Sequence, residues 1–180
     1  MSNLIIFGPP GSGKGTQAKK LSDLLNSKHL SVGKILRKAI VDNHPLSKNL
    51  QKTMFKGDLV DDKIVNQIIS DQINKNTKKE FIFDGYPRNL KQAKFLDNII
   101  NPENLKALCL VVSETETLKR LTLRGRDDDS RDNVKRRWKI YKKNIEPLLS
   151  YYQETDRLKK VNGEGNIEEI FNNLKKPINL

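Results

Sequence analysis

The 180-residue sequence predicts an α/β fold in which helices cover both faces of a five-stranded parallel sheet, a doubly wound arrangement. Short apolar runs without polar alternation are typical of strands that are buried on both faces of a parallel sheet. Segments with helical spacing separate these runs, as the crossovers between parallel strands require. The candidate strands are residues 4–7, 28–30, 81–84, 105–112 and 158–161.

The first candidate strand leads directly into a glycine-rich loop, residues 8–17, with the sequence GPPGSGKGTQ. Glycines allow the backbone to fold closely around an anion, and the amides at the following helix N-terminus point towards it. Lys14 adds a full positive charge. We therefore interpret the strand, loop and helix as a phosphate-binding unit, with an apolar helix face formed by Ala18, Leu21, Leu24 and Leu25.

Residues 31–60 are predicted to form a helical insertion. Ser31 is a candidate N-cap for its first helix, and Pro45 is expected to close that helix. A second helical segment, residues 46–55, ends near Gly57. The next segment has the periodicity of an amphipathic helix, with apolar residues at Ile64, Val65, Ile68, Ile69 and Ile73.

The third candidate strand ends in a carboxylate, Asp84, and a helical segment over residues 90–100 follows it. The fourth candidate strand contains Cys109, which we expect to be a small core residue. A further helix is predicted from about residue 114 to residue 124. Ligands of doubly wound sheets bind at the carboxyl ends of the strands, so we expect the functional residues at these strand ends.

Residues 125–133 are wholly polar, which predicts an exposed loop. A long helix is predicted to follow, with Pro147 as a kink. Asn166 and Glu169 resemble a capping box at the start of the last helix. The long helix has apolar and aromatic residues at helical spacing, which we interpret as core and not as a base-stacking surface: Val134, Trp138, Tyr141, Ile145, Leu148, Leu149 and Tyr152.

The composition limits the class of protein. Length and an apolar fraction of 36% fit one domain with a hydrophobic core. The formal net charge of +12 attracts polyanions, but no aromatic-rich motif accompanies it, which favours a solvated basic surface over a nucleic-acid site. The single cysteine excludes an internal disulfide and a cysteine-based metal site. No run is long enough to span a membrane and no basic segment precedes the first apolar residues, so we expect a cytoplasmic protein.

The phosphate loop departs from the general P-loop pattern, which has Ser or Thr directly after the lysine. Here Gly15 follows Lys14, and Thr16 comes one residue later. This variant resembles the loop of nucleoside monophosphate kinases, especially adenylate kinases. Blocks similar to adenylate kinase motifs extend over nearly the whole chain, at residues 29–37, 57–60, 84–88, 120–124, 126–137 and 161–165.

The resemblance implies a P-loop kinase that transfers a phosphoryl group reversibly from ATP to AMP, giving two ADP. It implies a single kinase domain over residues 1–180, with a monophosphate-binding insertion at 31–60 and a short lid at about 125–133. That lid has no cysteine cluster, so we expect no zinc. Mg²⁺ is the expected cofactor, held by Asp84 through water. We also expect a monomer and a cis peptide bond between Tyr86 and Pro87.

The candidate site residues follow from the same resemblance. The catalytic set is Lys14, Arg88, Arg120, Arg124, Arg126 and Arg137. The ATP-binding set is Gly11, Ser12, Gly13, Lys14, Gly15, Thr16, Arg124 and Gly165. The AMP-binding set is Val32, Arg37, Asp58, Leu59, Val60, Gly85, Tyr86, Pro87, Arg88, Gln92, Arg126 and Arg137.

Three residues depart from the adenylate kinase pattern. Val32 stands where threonine is usual, and Lys34 stands where aspartate is usual. Asn89 follows Arg88, as in uridylate and cytidylate kinases. Gln92 nevertheless suits adenine, because a carboxamide can accept from N6 and donate to N1. A uridylate or cytidylate kinase on the same fold is the nearest alternative.

Two alternatives come from other classes of protein. A GTP-driven switch requires a guanine-reading Asn-Lys-x-Asp motif, which the sequence lacks. A basic P-loop protein that binds RNA without turnover fits the net charge. The full set of arginines argues against it, because only phosphoryl transfer needs positive groups on both sides of the transferred phosphoryl group.

Overall fold

The computed structural model describes residues 2–42, 47–125 and 129–180. Its strands form one parallel sheet in the order β2-β3-β1-β4-β5. The predicted α/β fold with a five-stranded parallel sheet is therefore confirmed. The strands are β1 (Asn3–Phe7), β2 (Lys28–Ser31), β3 (Phe81–Asp84), β4 (Leu105–Val111) and β5 (Leu158–Asn162).

Helices pack against both faces of this sheet. The predicted helices are present, and two short 3₁₀ turns, Pro102–Asn104 and Lys176–Ile178, accompany them. None of the helices in the described ranges is long and apolar enough to cross a membrane. The helices are α1 (Lys14–Leu24), α2 (Val32–Val41), α3 (Ser47–Phe55), α4 (Asp62–Asn74), α5 (Leu90–Ile99), α6 (Glu114–Arg124), α7 (Arg131–Glu154) and α8 (Ile167–Lys175).

The central strand, β1, shows why its sequence lacks polar alternation. Successive strand residues point to opposite faces of a sheet. Ile5 and Phe7 enter the core under α4, α5 and α7, whereas Leu4 and Ile6 enter the core under α1 and α8. Both faces are buried from Leu4 to Phe7, so each of these four positions is apolar. Cys109 is likewise a buried core residue, as predicted.

The register of the strands brings the functional segments together. Ile6 in β1 is paired with Asp84 in β3, and Ser31 in β2 is paired with the same Asp84. The phosphate loop begins two residues after Ile6, so it lies beside Asp84. Between β4 and β5, Val111 is paired with Asn162, which places residues 163–165 at the same carboxyl edge of the sheet as the phosphate loop.

Local sequence explains where several helices begin. Asp61 caps α4 by accepting from the Lys63 amide at 2.8 Å. Asn166 and Glu169 form the predicted capping box of α8. Ser31 occupies the N-cap position of α2 but makes no capping hydrogen bond; its side chain is turned towards Asp84, to which its hydroxyl donates at 2.9 Å.

The structure corrects the prediction in three places. Leu24 is predicted to lie on the apolar face of α1, but it is 53% exposed; Ala18 and Leu21 are buried on that face. Helix α7 begins at Arg131 instead of Val134, because Ser130 caps it by accepting from the Asn133 amide at 3.4 Å. Helix α5 stops at Ile99, and the next residue is extended. Pro45, the predicted end of α2, and Leu46 lie outside the described residues.

The remaining predictions for α7 concern its aromatic residues and Pro147. Trp138 and Tyr152 are buried, which confirms that they belong to the core. Tyr152 packs against Phe7 of β1, with ring centroids 5.4 Å apart. The helix runs through Pro147 as one element from Arg131 to Glu154.

Candidate active site

The phosphate loop leads from β1 into α1 as predicted. Gly13 occupies the N-cap position with φ of +86°, a backbone conformation that only glycine adopts at no steric cost. Gly15 follows Lys14 because space is short: a Cβ atom at position 15 would lie 3.2 Å from Asp84 Oδ2. This contact gives a physical reason for the departure from the general P-loop pattern, in which a Ser or Thr stands there.

Lys14 is the first residue of α1, and its ammonium group turns back into the loop. Nζ donates to the carbonyl oxygens of Gly8 at 2.7 Å and Pro9 at 2.8 Å. Removal from water lowers the pKa of Lys14 to about 8; Asp84 opposes that shift and the positive charge of Arg88 adds to it. An anion in the loop would add to the countercharge of Asp84 and would favour the charged form of Lys14.

Asp84 is a mostly buried carboxylate at the end of β3. Ser31 Oγ donates to its Oδ2 at 2.9 Å, and His29 Nε2 lies 3.4 Å from the same oxygen. Burial alone would raise the pKa of Asp84, but the contacts with His29 and Ser31 and the charge of Lys14 outweigh it, and the pKa lies below its usual value. Asp84 is therefore ionised at neutral pH.

Positive side chains from several elements converge on one cavity of about 1060 Å³ at the carboxyl edge of the sheet. Desolvation lowers the pKa of Arg88, and so do the positive charges of Arg137 and Arg37, although Asp84 partly compensates. Arginines this close together repel each other unless an anion lies between them. The cations lining this cavity are Lys14, Lys19, Lys34, Arg37, Arg88, Arg120, Arg124 and Arg137.

Asp129 holds two of these arginines. Its carboxylate accepts a bidentate pair of hydrogen bonds from Arg124 and a third bond from Arg137 Nη1 at 3.0 Å. The side chain of Asp129 is only 3% exposed. The prediction that residues 125–133 form an exposed loop is therefore wrong at Asp129, because the two arginines draw its carboxylate inwards from the ends of α6 and α7.

Arg120 connects the phosphate loop to the segment after β5. It pairs with Glu116 one turn earlier on α6 at 2.7 Å. Its guanidinium donates to the Gly163 carbonyl at 3.0 Å and makes longer bonds, at 3.4 Å, to the carbonyls of Ser12 and Gly165. One arginine thus holds together the two segments that the sequence assigns to the ATP phosphates and the ATP base.

A smaller cavity, of about 60 Å³, lies at the helical insertion and shares Arg37, Arg88 and Arg137 with the main one. Its wall includes Gln92, whose carboxamide is hydrogen-bonded at both ends, to the Arg88 amide and to Asp62. The neighbouring turn is fixed to α7, because Arg136 donates two hydrogen bonds to the Asp58 carboxylate, at 2.6 Å and 2.9 Å.

Most of the predicted site residues line one of these two cavities. The main cavity is lined by Gly11, Gly13, Lys14, Gly15, Thr16, Arg37, Leu59, Asp84, Gly85, Pro87, Arg88, Arg120, Arg124, Arg137 and Gly165. The smaller cavity alone is lined by Val32, Asp58, Val60 and Gln92.

Three predicted residues do not follow this pattern. Ser12 is fully buried beneath the loop and lines neither cavity. Tyr86 is also fully buried, and its hydroxyl donates to Asn66 Oδ1 at 2.7 Å, so its ring belongs to the core. The peptide bond between Tyr86 and Pro87 is cis, as the resemblance implies. Arg126 lies outside the described residues.

One wall of the main cavity is apolar and is not among the predicted site residues. The helical spacing predicts Tyr141, Ile145 and Leu148 of α7 as core residues, and the structure shows that they also line the cavity, together with Ile140. Arg137 lies one helical turn before Tyr141, so the two side chains share a face of the helix. The helical spacing between a predicted site arginine and an aromatic residue was the signal that could have shown this wall.

A model of the adenylate kinase family matches residues 6–157. The adenylate kinase of Prochlorococcus marinus strain MIT 9515 is 42% identical over 176 residues, which cover 96% of this chain and 96% of the relative. That of Mycolicibacterium smegmatis is 42% identical over 172 residues, covering 93% and 94%. That of Thermus thermophilus is 35% identical over 184 residues, covering 98% and 97%. Together with the P-loop, the arginine-lined cavity and the parallel sheet, these matches show that the chain belongs to the adenylate kinase family.

Proposed function

We propose that this chain catalyses the reversible transfer of the γ-phosphoryl group of ATP to AMP, giving two ADP. The observation that carries the proposal is the convergence of Lys14, Arg88 and Arg137 on one cavity between the phosphate loop and the helical insertion. Phosphoryl transfer requires mainly that two substrates are positioned and that negative charge is stabilised between them. This cavity offers positive charge on both sides of such a group.

The donor nucleotide is assigned to the phosphate loop. The amides at the start of α1 and the Lys14 ammonium group would bind the β- and γ-phosphates. To do so, Lys14 exchanges its hydrogen bonds with the Gly8 and Pro9 carbonyls for bonds to phosphate oxygens. Gly165 lines the same cavity, is joined to the loop through Arg120, and is assigned to the ATP base.

The acceptor is assigned to the side of the helical insertion. Arg37 and Arg88 are shared by both cavities, so a monophosphate held by them would place its base in the smaller one. Gln92 is the polar side chain there with both a donor and an acceptor on one carboxamide. Every group invoked comes from one chain, so a monomer suffices for the proposed reaction.

Mg²⁺ fits the residues at Asp84. No cluster of three or more His, Cys, Asp or Glu side chains occurs within the described ranges, so protein ligands alone do not form a metal cage there. Mg²⁺ usually keeps several waters and binds one or two carboxylates plus substrate phosphates. Asp84 supplies one ionised carboxylate beside the phosphate loop and would hold the ion through water. When bound, the ion would neutralise charge on the transferred phosphate.

A coupled assay with ATP and a panel of acceptors tests the proposal. The panel contains AMP, dAMP, GMP, UMP and CMP, each at several concentrations, so that kcat/KM is measured for every acceptor. We expect AMP to give the highest kcat/KM, with some loss of stringency because Val32 and Asn89 are atypical. A higher kcat/KM with UMP or CMP would show that the acceptor assignment is wrong.

A further inference from the structure

The carboxamide of Gln92 is held in one orientation. The side chain is almost fully buried in the wall of the smaller cavity. Its Oε1 accepts from the backbone amide of Arg88 at 2.7 Å, and its Nε2 donates to Asp62 Oδ1 at 2.7 Å. A rotation of the carboxamide by 180° would place two donors face to face at Arg88 and two acceptors face to face at Asp62. Both ends of the amide therefore favour the same orientation.

Asp62 is in turn fixed by Asn89. The Asn89 Nδ2 donates to the same Asp62 Oδ1 at 2.9 Å. The Asn89 Oδ1 accepts from the Gln92 backbone amide at 2.9 Å, as the N-cap of α5. This bond determines which end of the Asn89 side chain faces Asp62. Asp62 Oδ1 therefore accepts two hydrogen bonds, one from Gln92 Nε2 and one from Asn89 Nδ2.

A fixed carboxamide has a chemical consequence for purine recognition. Adenine presents a donor at N6 and an acceptor at N1, which match the oxygen and the nitrogen of a carboxamide in one orientation. A 6-oxopurine presents an acceptor at C6 and a donor at N1, which match the same carboxamide only after it rotates by 180°. A freely rotating glutamine would therefore serve both kinds of base, and a locked one serves only the first.

We propose that Asp62 is a positioning residue that locks the Gln92 carboxamide and so makes the acceptor site select 6-aminopurine over 6-oxopurine monophosphates. The inference rests on the proposed function, since it concerns the base of the acceptor nucleotide. It assigns no contact between Asp62 and the substrate, because Asp62 lines neither cavity. It also gives Asn89 a role in adenine selection, although the sequence links that residue to pyrimidine nucleotide kinases.

The test compares AMP with IMP, whose bases differ only in the groups at C6 and N1. Two variants are needed: Asp62→Ala removes the acceptor for Gln92 Nε2, and Asp62→Asn keeps an oxygen at the same place. We expect Asp62→Ala to lower the ratio of kcat/KM for AMP to that for IMP by about tenfold or more, because hydrogen bonds to charged groups fix orientation strongly. KM for AMP rises in this variant, while kcat at saturation stays near the wild-type value. Asp62→Asn should keep the ratio within about threefold of wild type, since the Asn89 amide still requires an oxygen there.

Asp61→Ala is the matched control. Asp61 is the neighbouring acidic residue, and its carboxylate caps α4 by accepting from the Lys63 amide, away from Gln92. Its removal destabilises the start of the same helix without changing the AMP to IMP ratio. Partial unfolding lowers the apparent activity with AMP and IMP equally, so the ratio separates positioning from stability. If Asp62→Ala does not fold, Asp62→Ser, which is too short to reach Nε2, carries the same expectation.

Three outcomes have different meanings. If the wild-type chain prefers AMP to IMP and Asp62→Ala keeps that preference, the inference about Asp62 is overturned while the proposed function stands. If the wild-type chain does not phosphorylate AMP, the proposed function itself fails. A ratio that falls as much in Asp61→Ala as in Asp62→Ala would also overturn the inference, since the effect would then belong to the helix start.

Discussion

Two arginine-containing clusters of this molecule differ in their balance of positive and negative charge. In the first, Arg157 and Asp97 form two parallel hydrogen bonds, at 2.9 Å and 2.7 Å, and each side chain is 9% exposed. Tyr151 donates to the same carboxylate at 2.7 Å, and Thr155 accepts from Arg157 Nε at 2.8 Å. The cluster joins α5 to α7 and β5, and its charges balance.

The second cluster is the main cavity, where positive groups exceed carboxylates. Among the described residues of its wall, the acidic side chains are Asp84 and Glu168, against eight lysines and arginines. Asp129 and Glu116, outside the wall, pair with three of these arginines, and the positive groups still exceed the carboxylates. Desolvation and mutual repulsion lower the pKa of both Lys14 and Arg88. We therefore expect the balanced cluster to stabilise the fold and the unbalanced one to bind a polyanion.

The largest expected effect is on catalysis, from Lys14→Met. The substitution keeps the length of the side chain and removes its charge, so we expect kcat to fall by roughly a thousandfold through lost electrostatic stabilisation. The thermal midpoint should not fall, because the change removes a desolvated cation. Steady-state kinetics and thermal unfolding measure the two effects. Activity within about tenfold of wild type would contradict the role of Lys14.

Breaking the balanced cluster should have the opposite pattern. Asp97→Ala leaves Arg157 buried without its carboxylate, which typically costs about 3–5 kcal/mol of unfolding free energy. For a chain of this length the thermal midpoint then falls by about 10 °C, while kcat measured below the transition stays near wild type. The control is Asp23→Ala, which removes the exposed ion pair with Lys19 and should cost less than about 1 kcal/mol. A loss of kcat without a loss of stability in Asp97→Ala would contradict the comparison.

The arginines of the cavity should differ among themselves. Arg88 and Arg137 are expected to face the transferred phosphoryl group, where forked donors stabilise charge that develops fully only in the transition state. Arg88→Ala and Arg137→Ala should therefore lower kcat by about a hundredfold, whereas Arg37→Ala chiefly raises KM for AMP. Initial rates at saturating ATP distinguish these effects. Wild-type kcat in both Arg88→Ala and Arg137→Ala would refute the assignment.

The smallest effect concerns pH. Burial lowers the pKa of Lys14 to about 8, and bound phosphates would favour its charged form. ATP affinity should therefore be greatest below pH 8 and fall as pH rises through 8, with proton uptake on binding near pH 8. Calorimetric titration in two buffers with different ionisation enthalpies measures that uptake. No proton uptake at pH 8, or a Lys14→Met variant with the same uptake as wild type, would contradict this origin.

The fold was predictable because the signal for it is local. Apolar runs without alternation fix strands that are buried on both faces, and the phosphate loop follows the first of them. Leu24 shows the limit of this signal: its helical spacing is right, yet it lies just beyond the edge of the buried face. Arg131 shows another limit, because a polar first turn capped by Ser130 looks like loop in the sequence.

The contacts inside the site were less predictable, since they depend on pairs that are distant in sequence. The side chain of Asp129 is buried because Arg124 and Arg137 contact it from two different helices. No sequence pattern near Asp129 predicts these two ion pairs. Asp62 similarly acquires its role from Asn89 and Gln92, which belong to the next helix and follow an intervening strand. The sequence predicts Ser31 as a helix cap, but its hydroxyl donates a hydrogen bond to Asp84 on the adjacent strand and makes no capping bond.

The contact between position 15 and Asp84 also limits how this sequence can change. A Cβ atom at position 15 would lie 3.2 Å from Asp84 Oδ2, and Ser31 Oγ donates a hydrogen bond to that same oxygen at 2.9 Å. The effect of adding a side chain at position 15 should therefore depend on the residue at position 84. A serine at position 15 requires the Asp84 carboxylate to shift by a few tenths of an ångström, away from the place where it is assigned to hold Mg²⁺. The two positions are 69 apart in the sequence, and one close contact makes the choice of residue at one depend on the residue at the other.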